Sequence, residues 1–256
     1  MSTATAPRPA VGGSSLNRIL AVVKLQFTNP WGVLILPWII MLTILVMNIA
    51  IWWIIMTAAG SEANRADVRE GLEYGGAGSY IFVYMLVVAV QAISGYFPFA
   101  LGYSVTRRNY YLGITAFFVI LSVIFTAGMS VLGAIEQATD GWGLGGRMFT
   151  SVYFGEDWLQ RGFAYFTLLL FFFFVGSTVA AIYVRYKATG MTFFWVGLSV
   201  LLVALGALIT LTESWGAVGE FFANAGLVGS YAWSLVLTAI AAISGYLVLR
   251  RATPKS

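Results

Sequence analysis

Residues 33–57, 79–104, 110–135, 162–184, 190–212 and 227–249 are six nearly unbroken apolar runs. Each is long enough to cross a hydrocarbon layer about 30 Å thick at about 1.5 Å per residue. Continuous apolarity predicts helices, because a membrane barrel would show short strands of alternating character. The expected fold class is therefore all-α, a polytopic membrane protein with six transmembrane helices. Pro37 and Pro98 lie inside the first and second runs and are expected to kink them. Trp31, Trp38, Trp52 and Trp53 gather near the ends of the first run, as interfacial aromatics do.

Ahead of these runs, residues 1–15 (MSTATAPRPAVGGSS) are small, polar and rich in Pro and Gly, which predicts a disordered cytoplasmic tail. They lack the short apolar stretch of a cleavable signal. Residues 16–29 read differently. Leu16, Ile19, Leu20, Val23 and Phe27 share one helical face, and Asn17, Arg18, Ala21, Lys24 and Thr28 share the other. Ser14 or Ser15 can cap the start, and Asn29-Pro30 ends the pattern. The spacing predicts an amphipathic helix lying in the membrane interface, with Arg18 and Lys24 toward the headgroups. Residues 30–250 then form the six-helix domain, followed by a short tail at 251–256.

Charge sets the orientation. With the N-terminus inside, the cytoplasmic segments hold Arg8, Arg18, Lys24, Arg107, Arg108, Arg185, Lys187, Arg250, Arg251 and Lys255. The outer segments hold only Arg65, Arg69, Arg147 and Arg161. This bias follows the positive-inside rule and predicts that both termini are cytoplasmic. The acids agree: Glu62, Asp67, Glu70, Glu73, Glu136, Asp140, Glu156, Asp157, Glu213 and Glu220 all fall at or beyond the outer ends. The outer segment 136–161 is Gly-rich around Trp142 and is expected to hold a short helical or interfacial piece. The semi-apolar segment 213–226 is expected at the membrane edge, where it can re-enter.

Composition narrows the chemistry. The chain is 60% hydrophobic and 9% charged, against about 25% charged in soluble domains. It has no Cys and no His, which removes thiol and Ser-His catalysis, disulfides and the usual zinc and haem sites. None of the three lysines sits in a phosphate-binding G-x-x-x-x-G-K-[ST] loop. The net charge of +4 is sorted by membrane side and forms no stripe for nucleic acid. No Asp, Glu, Lys or Arg lies inside a run, whereas ion-coupled carriers generally need such groups at mid-membrane. Asn48 and Gln91 read as interhelical hydrogen-bonding groups, and Phe171 to Phe174 as packing and lipid-facing bulk. Gly176, Ser177, Gly197 and Gly206 read as sites of close helix approach. Ala-Ile-Ser-Gly-Tyr occurs at 92–96 and again at 242–246, which in a chain of this composition reads as coincidence.

One segment stands apart. Phe97-Pro98-Phe99-Ala100-Leu101-Gly102-Tyr103-Ser104-Val105-Thr106-Arg107-Arg108-Asn109-Tyr110-Tyr111-Leu112-Gly113 holds a short basic loop bracketed by Pro and Gly. With the amphipathic N-terminal helix and six runs, it resembles the permease subunits of ABC-2 type exporters, closest to Gram-positive and actinobacterial drug or lantibiotic transporters. The resemblance implies that Ser104, Val105, Thr106, Arg107, Arg108, Asn109, Tyr110 and Tyr111 form an ATPase-coupling loop. It implies that the helix at Arg18 and Lys24 is the connecting helix. It further implies a second permease copy or a sister permease, separate ABC-type ATPase subunits binding ATP and Mg, and residence in a bacterial cytoplasmic membrane. The chain itself is then non-catalytic and carries no cofactor or metal. The implied cargo is hydrophobic or amphipathic: a drug, lipid or peptide. The alternatives are a non-transporting accessory membrane protein and a stand-alone carrier for a neutral solute.

Overall fold

The structure, a computed structural model, describes residues 15–102 and 105–252. Most of the expected tail at 1–15, Ser104 in the loop, and the last residues of the expected tail at 251–256 lie outside the described residues. Among the described residues the fold is all-helical, with no strand. Its main helices are α1 (Ser15–Gln26), α2 (Leu36–Ala58), α3 (Glu62–Leu72), α4 (Tyr80–Ser94), α5 (Tyr96–Gly102), α6 (Arg107–Ala138), α7 (Trp158–Leu211) and α8 (Trp215–Leu249).

Among the described residues five helical stretches, one of them α3 to α5 in succession, are long and apolar enough to cross a membrane. Large apolar side chains such as Val46, Phe193, Val203 and Leu211 are exposed along them. Exposed apolar surface on this scale suits hydrocarbon rather than water. Two of the long helices are broken by single residues. In α7, Lys187 has φ 56° and ψ −151°; in α8, Gly226 has φ 64° and ψ −175°.

The two expected proline kinks have distinct forms. Pro37 opens α2 directly after a π-helical turn at Trp31–Ile35. In such a turn the Gly32 carbonyl seeks the amide of residue 37, and proline has none. The Tyr84 hydroxyl donates to that carbonyl instead, at 2.7 Å. Tyr80, one turn earlier on α4, donates to the Pro37 carbonyl. Pro98 sits just after a break at Gly95 that separates α4 from α5.

The core is aromatic and tightly fitted. Phe118 stacks on Phe173 with centroids 4.6 Å apart, and Trp38 stacks on Phe125 at 5.0 Å. Of the run Phe171 to Phe174, the last two are buried, and Phe172 pairs with Phe82. In lipid, apolar burial does not drive helices together, so shape fit and hydrogen bonds must. Gly176 meets that need: a side chain there would collide with the Leu86 carbonyl on α4. Ser177 is buried and bonds within its own helix to Phe174. Gly197 and Gly206 do not meet it, because nothing lies within 4 Å of either position. Asn48 also departs from expectation, since its amide donates to Ile44 of its own helix at 2.9 Å. Gln91 is exposed.

Helix α1 packs against the start of α6 through a face that only partly coincides with its apolar one. Val22, Val23 and Gln26 are buried, while Leu16 and Leu20 remain 62% and 48% exposed. Gly113 is the reason: its bare backbone accepts Val22 and Ile19, which a Cβ would strike. Arg18 is half-buried and Lys24 exposed. Two further features escape the hydropathy pattern. Helix α3 is capped by Ser61, whose hydroxyl accepts from the Asn64 amide at 3.3 Å. Ala252, in the expected C-terminal tail, is buried with Leu249.

Candidate functional site

From Arg107 onward the bracketed loop becomes the first turns of α6. Thr106 caps that helix, its hydroxyl accepting from the Asn109 amide at 3.3 Å. Capping fixes the direction of the residues that follow. Thr106 and Arg108 point outward and are exposed; Val105, Arg107 and Asn109 are half-buried. Tyr110 and Tyr111 are buried at 0% and 7% exposure. Those two residues therefore offer no surface to a partner and act as the loop's anchors.

The anchoring reaches three other helices. The Tyr110 hydroxyl donates to the Ala92 carbonyl in the last turn of α4 at 2.5 Å. The Gln26 amide of α1 donates to the same hydroxyl at 3.5 Å. The Tyr111 hydroxyl donates to the Ala242 carbonyl of α8 at 2.7 Å. Arg107 donates from Nη1 to the Arg250 carbonyl at the C-cap of α8, at 2.8 Å. A cation at that position also complements the negative end of the helix dipole.

Ala92 and Ala242 open the two Ala-Ile-Ser-Gly-Tyr segments. Two consecutive tyrosines thus grip equivalent carbonyls in the two copies. The repeat, which composition alone assigns to chance, marks a matched pair of contacts in the fold. Gly245, in the second copy, lets α8 approach closely, because a Cβ there would meet the hydroxyls of Thr178 and Tyr111. Thr178 in turn donates to the Ala241 carbonyl at 2.7 Å, joining α7 to the cluster.

At the opposite end of α6 lies a second polar site, carried by two residues that hydropathy places merely at the outer ends. Glu136 and Arg161 are 1% and 3% exposed. The Glu136 carboxylate organises the segment after α6. Its Oε1 accepts from the amides of Phe149 and Thr150 at 3.0 and 2.8 Å and from the Thr150 hydroxyl at 2.7 Å. Its Oε2 accepts from the Met148 amide at 2.9 Å and the Trp142 indole at 3.1 Å. The Tyr165 hydroxyl of α7 closes the same segment from below by donating to the Phe149 carbonyl. Gly141, Gly143 and Gly145 hold positive φ here, so the chain can turn back tightly enough to present those amides. A cavity of about 510 Å³ opens beside Glu136 and Arg161. Among the described residues no cluster of His, Cys, Asp or Glu is suited to a metal ion.

No protein-family model, curated protein or solved structure matches this chain. The class therefore rests on the fold: five long apolar helices suggest a multi-pass membrane protein.

Proposed function

We infer that this protein is the membrane-spanning permease subunit of an ATP-driven exporter of hydrophobic or amphipathic molecules, energised by a separate ATPase. The observation that carries this reading is the rooting of residues 105–111 of the loop. Its exposed tip, at Thr106 and Arg108, is small and basic. Its base is tied by hydrogen bonds to α1, α4 and α8. Force applied at the tip would move those three helices together, which is the requirement for a subunit driven from outside. A stand-alone carrier has no need of a stiff external lever.

On this reading the chain crosses the membrane six times with both termini cytoplasmic. A straight helix of 54 residues would run about 80 Å, well over twice the hydrocarbon thickness. The break at Lys187 divides α7 into two segments, each able to span. Contacts support the return. Thr178 and Ala241 meet near the loop, whereas Tyr231 donates to the Tyr153 carbonyl at the far end. On this reading the chain between residues 178 and 231 travels back across before α8 makes its own crossing. The exposed apolar faces of α2 and the second half of α7 suit lipid or a second permease.

The test is purification of the tagged protein from its native membrane, with ATP-driven efflux measured in vesicles. A stoichiometric P-loop ATPase that is lost on Arg108→Glu is the expected result. An intact protein with no ATPase partner would overturn the reading and favour an accessory role or an ATP-independent carrier.

A further inference from the structure

We propose that the cavity between the end of α6 and the start of α7 binds a small oxyanion, a carboxylate or phosphate group, through the guanidinium of Arg161. The inference stands apart from the exporter reading and rests on the accounting of charges around this one side chain.

Arg161 is 3% exposed and lines the cavity. A guanidinium stays charged at any ordinary pH, so a buried one requires acceptors. Its Nη2 donates weakly to the Gln137 side-chain oxygen at 3.3 Å and to the Glu156 carbonyl at 3.4 Å. Its Nη1 is buried and finds no acceptor on the protein. Among the described residues it makes no ion pair.

The neighbouring acids do not fill this need. Glu136 is the one buried carboxylate nearby, and its two oxygens already accept from Trp142, Met148, Phe149 and Thr150. A carboxylate offers about four lone-pair sites, so no room remains for a sixth donor. Its charge offsets that of Arg161 at longer range without supplying a hydrogen bond. Glu73 is engaged by Arg147 at 2.9 Å. Asp140 and Glu156 are exposed at the cavity wall, where water screens them. The amides at the start of α7 are taken as well, since Asp157 accepts from Leu159 and Gln160. Arg69 also lines the cavity but is exposed to water, so the unmet buried donor is Arg161 itself, and the matching group is an acceptor with negative charge. A compact oxyanion fits: it accepts from a guanidinium in a charge-assisted geometry, and a cavity of about 510 Å³ admits it. The lining carries four acids against three arginines, which disfavours polyanions and points to a single oxyanion group and modest affinity.

The experiment is thermal unfolding of the purified protein in a nonionic sugar detergent, titrated with inorganic phosphate and separately with acetate at constant ionic strength. A saturable rise in midpoint is expected for at least one of them. Non-specific stabilisation by an excluded salt grows with concentration without saturating. Gln137→Glu places a carboxylate where Arg161 Nη2 now donates. Because Gln137 is exposed, this variant should fold; it should weaken the anion response at least tenfold by supplying an internal counter-ion. Arg161→Lys should weaken it too, by removing the planar fork. Repeating the titration in phosphatidylglycerol nanodiscs identifies the source. Loss of the response there assigns the site to a lipid phosphate, and persistence assigns it to a free anion. No saturable response in the wild-type protein, or an equal response in Gln137→Glu, would refute the site.

Discussion

Replacing Glu136 with Gln is the sharpest perturbation the fold offers. The exchange preserves volume but turns one acceptor oxygen into an NH₂ donor. If the amide nitrogen takes the Oε2 position, it faces the Met148 amide and the Trp142 indole, both donors. The opposite flip sets it against the Phe149 and Thr150 amides. Either way at least two hydrogen bonds to a charged group are lost, each contributing about 1.5–3 kcal/mol. Arg161 also loses its nearest buried counter-charge. A local cost of about 3–5 kcal/mol follows, comparable with breaking a buried ion pair. Since about 1.4 kcal/mol is a factor of ten, the segment 141–152 should open roughly a hundred- to several-thousandfold more often. Hydrogen exchange followed by mass spectrometry on peptides covering Met148, Phe149 and Thr150 reads this directly. Peptides from the first turns of α6, at the other end of the molecule, serve as the control and should keep their rates. Unchanged exchange at 148–150 in the variant would refute the role assigned to Glu136.

Other outcomes follow from the same geometry. Tyr84→Phe leaves the Gly32 carbonyl without its donor and should destabilise by about 1–3 kcal/mol in equilibrium unfolding. Gly113→Ala should displace α1, since its Cβ would strike Val22 and Ile19; overpacking of this kind costs about 1–3 kcal/mol, and a spin-label distance between α1 and α6 should lengthen. On the exporter reading proposed above, Arg108→Glu should abolish ATPase coupling while moving the unfolding midpoint little, because the side chain is exposed; a large loss of stability would contradict that placement. On the same reading, Tyr111→Phe removes the tie to Ala242 and should reduce transport per ATP hydrolysed more than it reduces ATPase binding.

The roles of the loop residues show where sequence reasoning stops. Position in the chain singles out residues 104–111 because Pro98, Gly102 and Gly113 bracket them. It treats Arg107 and Arg108 alike, and Tyr110 and Tyr111 as part of the same surface. Only packing separates them. Arg107 is committed to the Arg250 carbonyl, Arg108 is exposed, and the tyrosines point inward. The same holds at the other end. Glu136 and Arg161 look like ordinary boundary charges, because they fall just outside the apolar runs at 110–135 and 162–184. A signal was present in the Gly-rich segment that follows Glu136, since a chain that turns so tightly needs an acceptor for its amides.

Hydropathy and composition determined the class: helical, with stretches long and apolar enough to cross a membrane, and without thiol, imidazole or phosphate-loop chemistry. Those conclusions need only one-dimensional information, because run length against bilayer thickness decides whether a segment can cross. Tertiary structure decided what no run length encodes. It chose which face of α1 is buried, through the bare backbone at Gly113. It turned an apparent coincidence at Ala92 and Ala242 into two gripped carbonyls, and it enclosed Glu136 and Arg161 beside one cavity. The physical reason is common to all three. A hydrogen bond or a close approach depends on residues tens of positions apart arriving within about 3 Å of each other, and a linear pattern carries no record of that meeting.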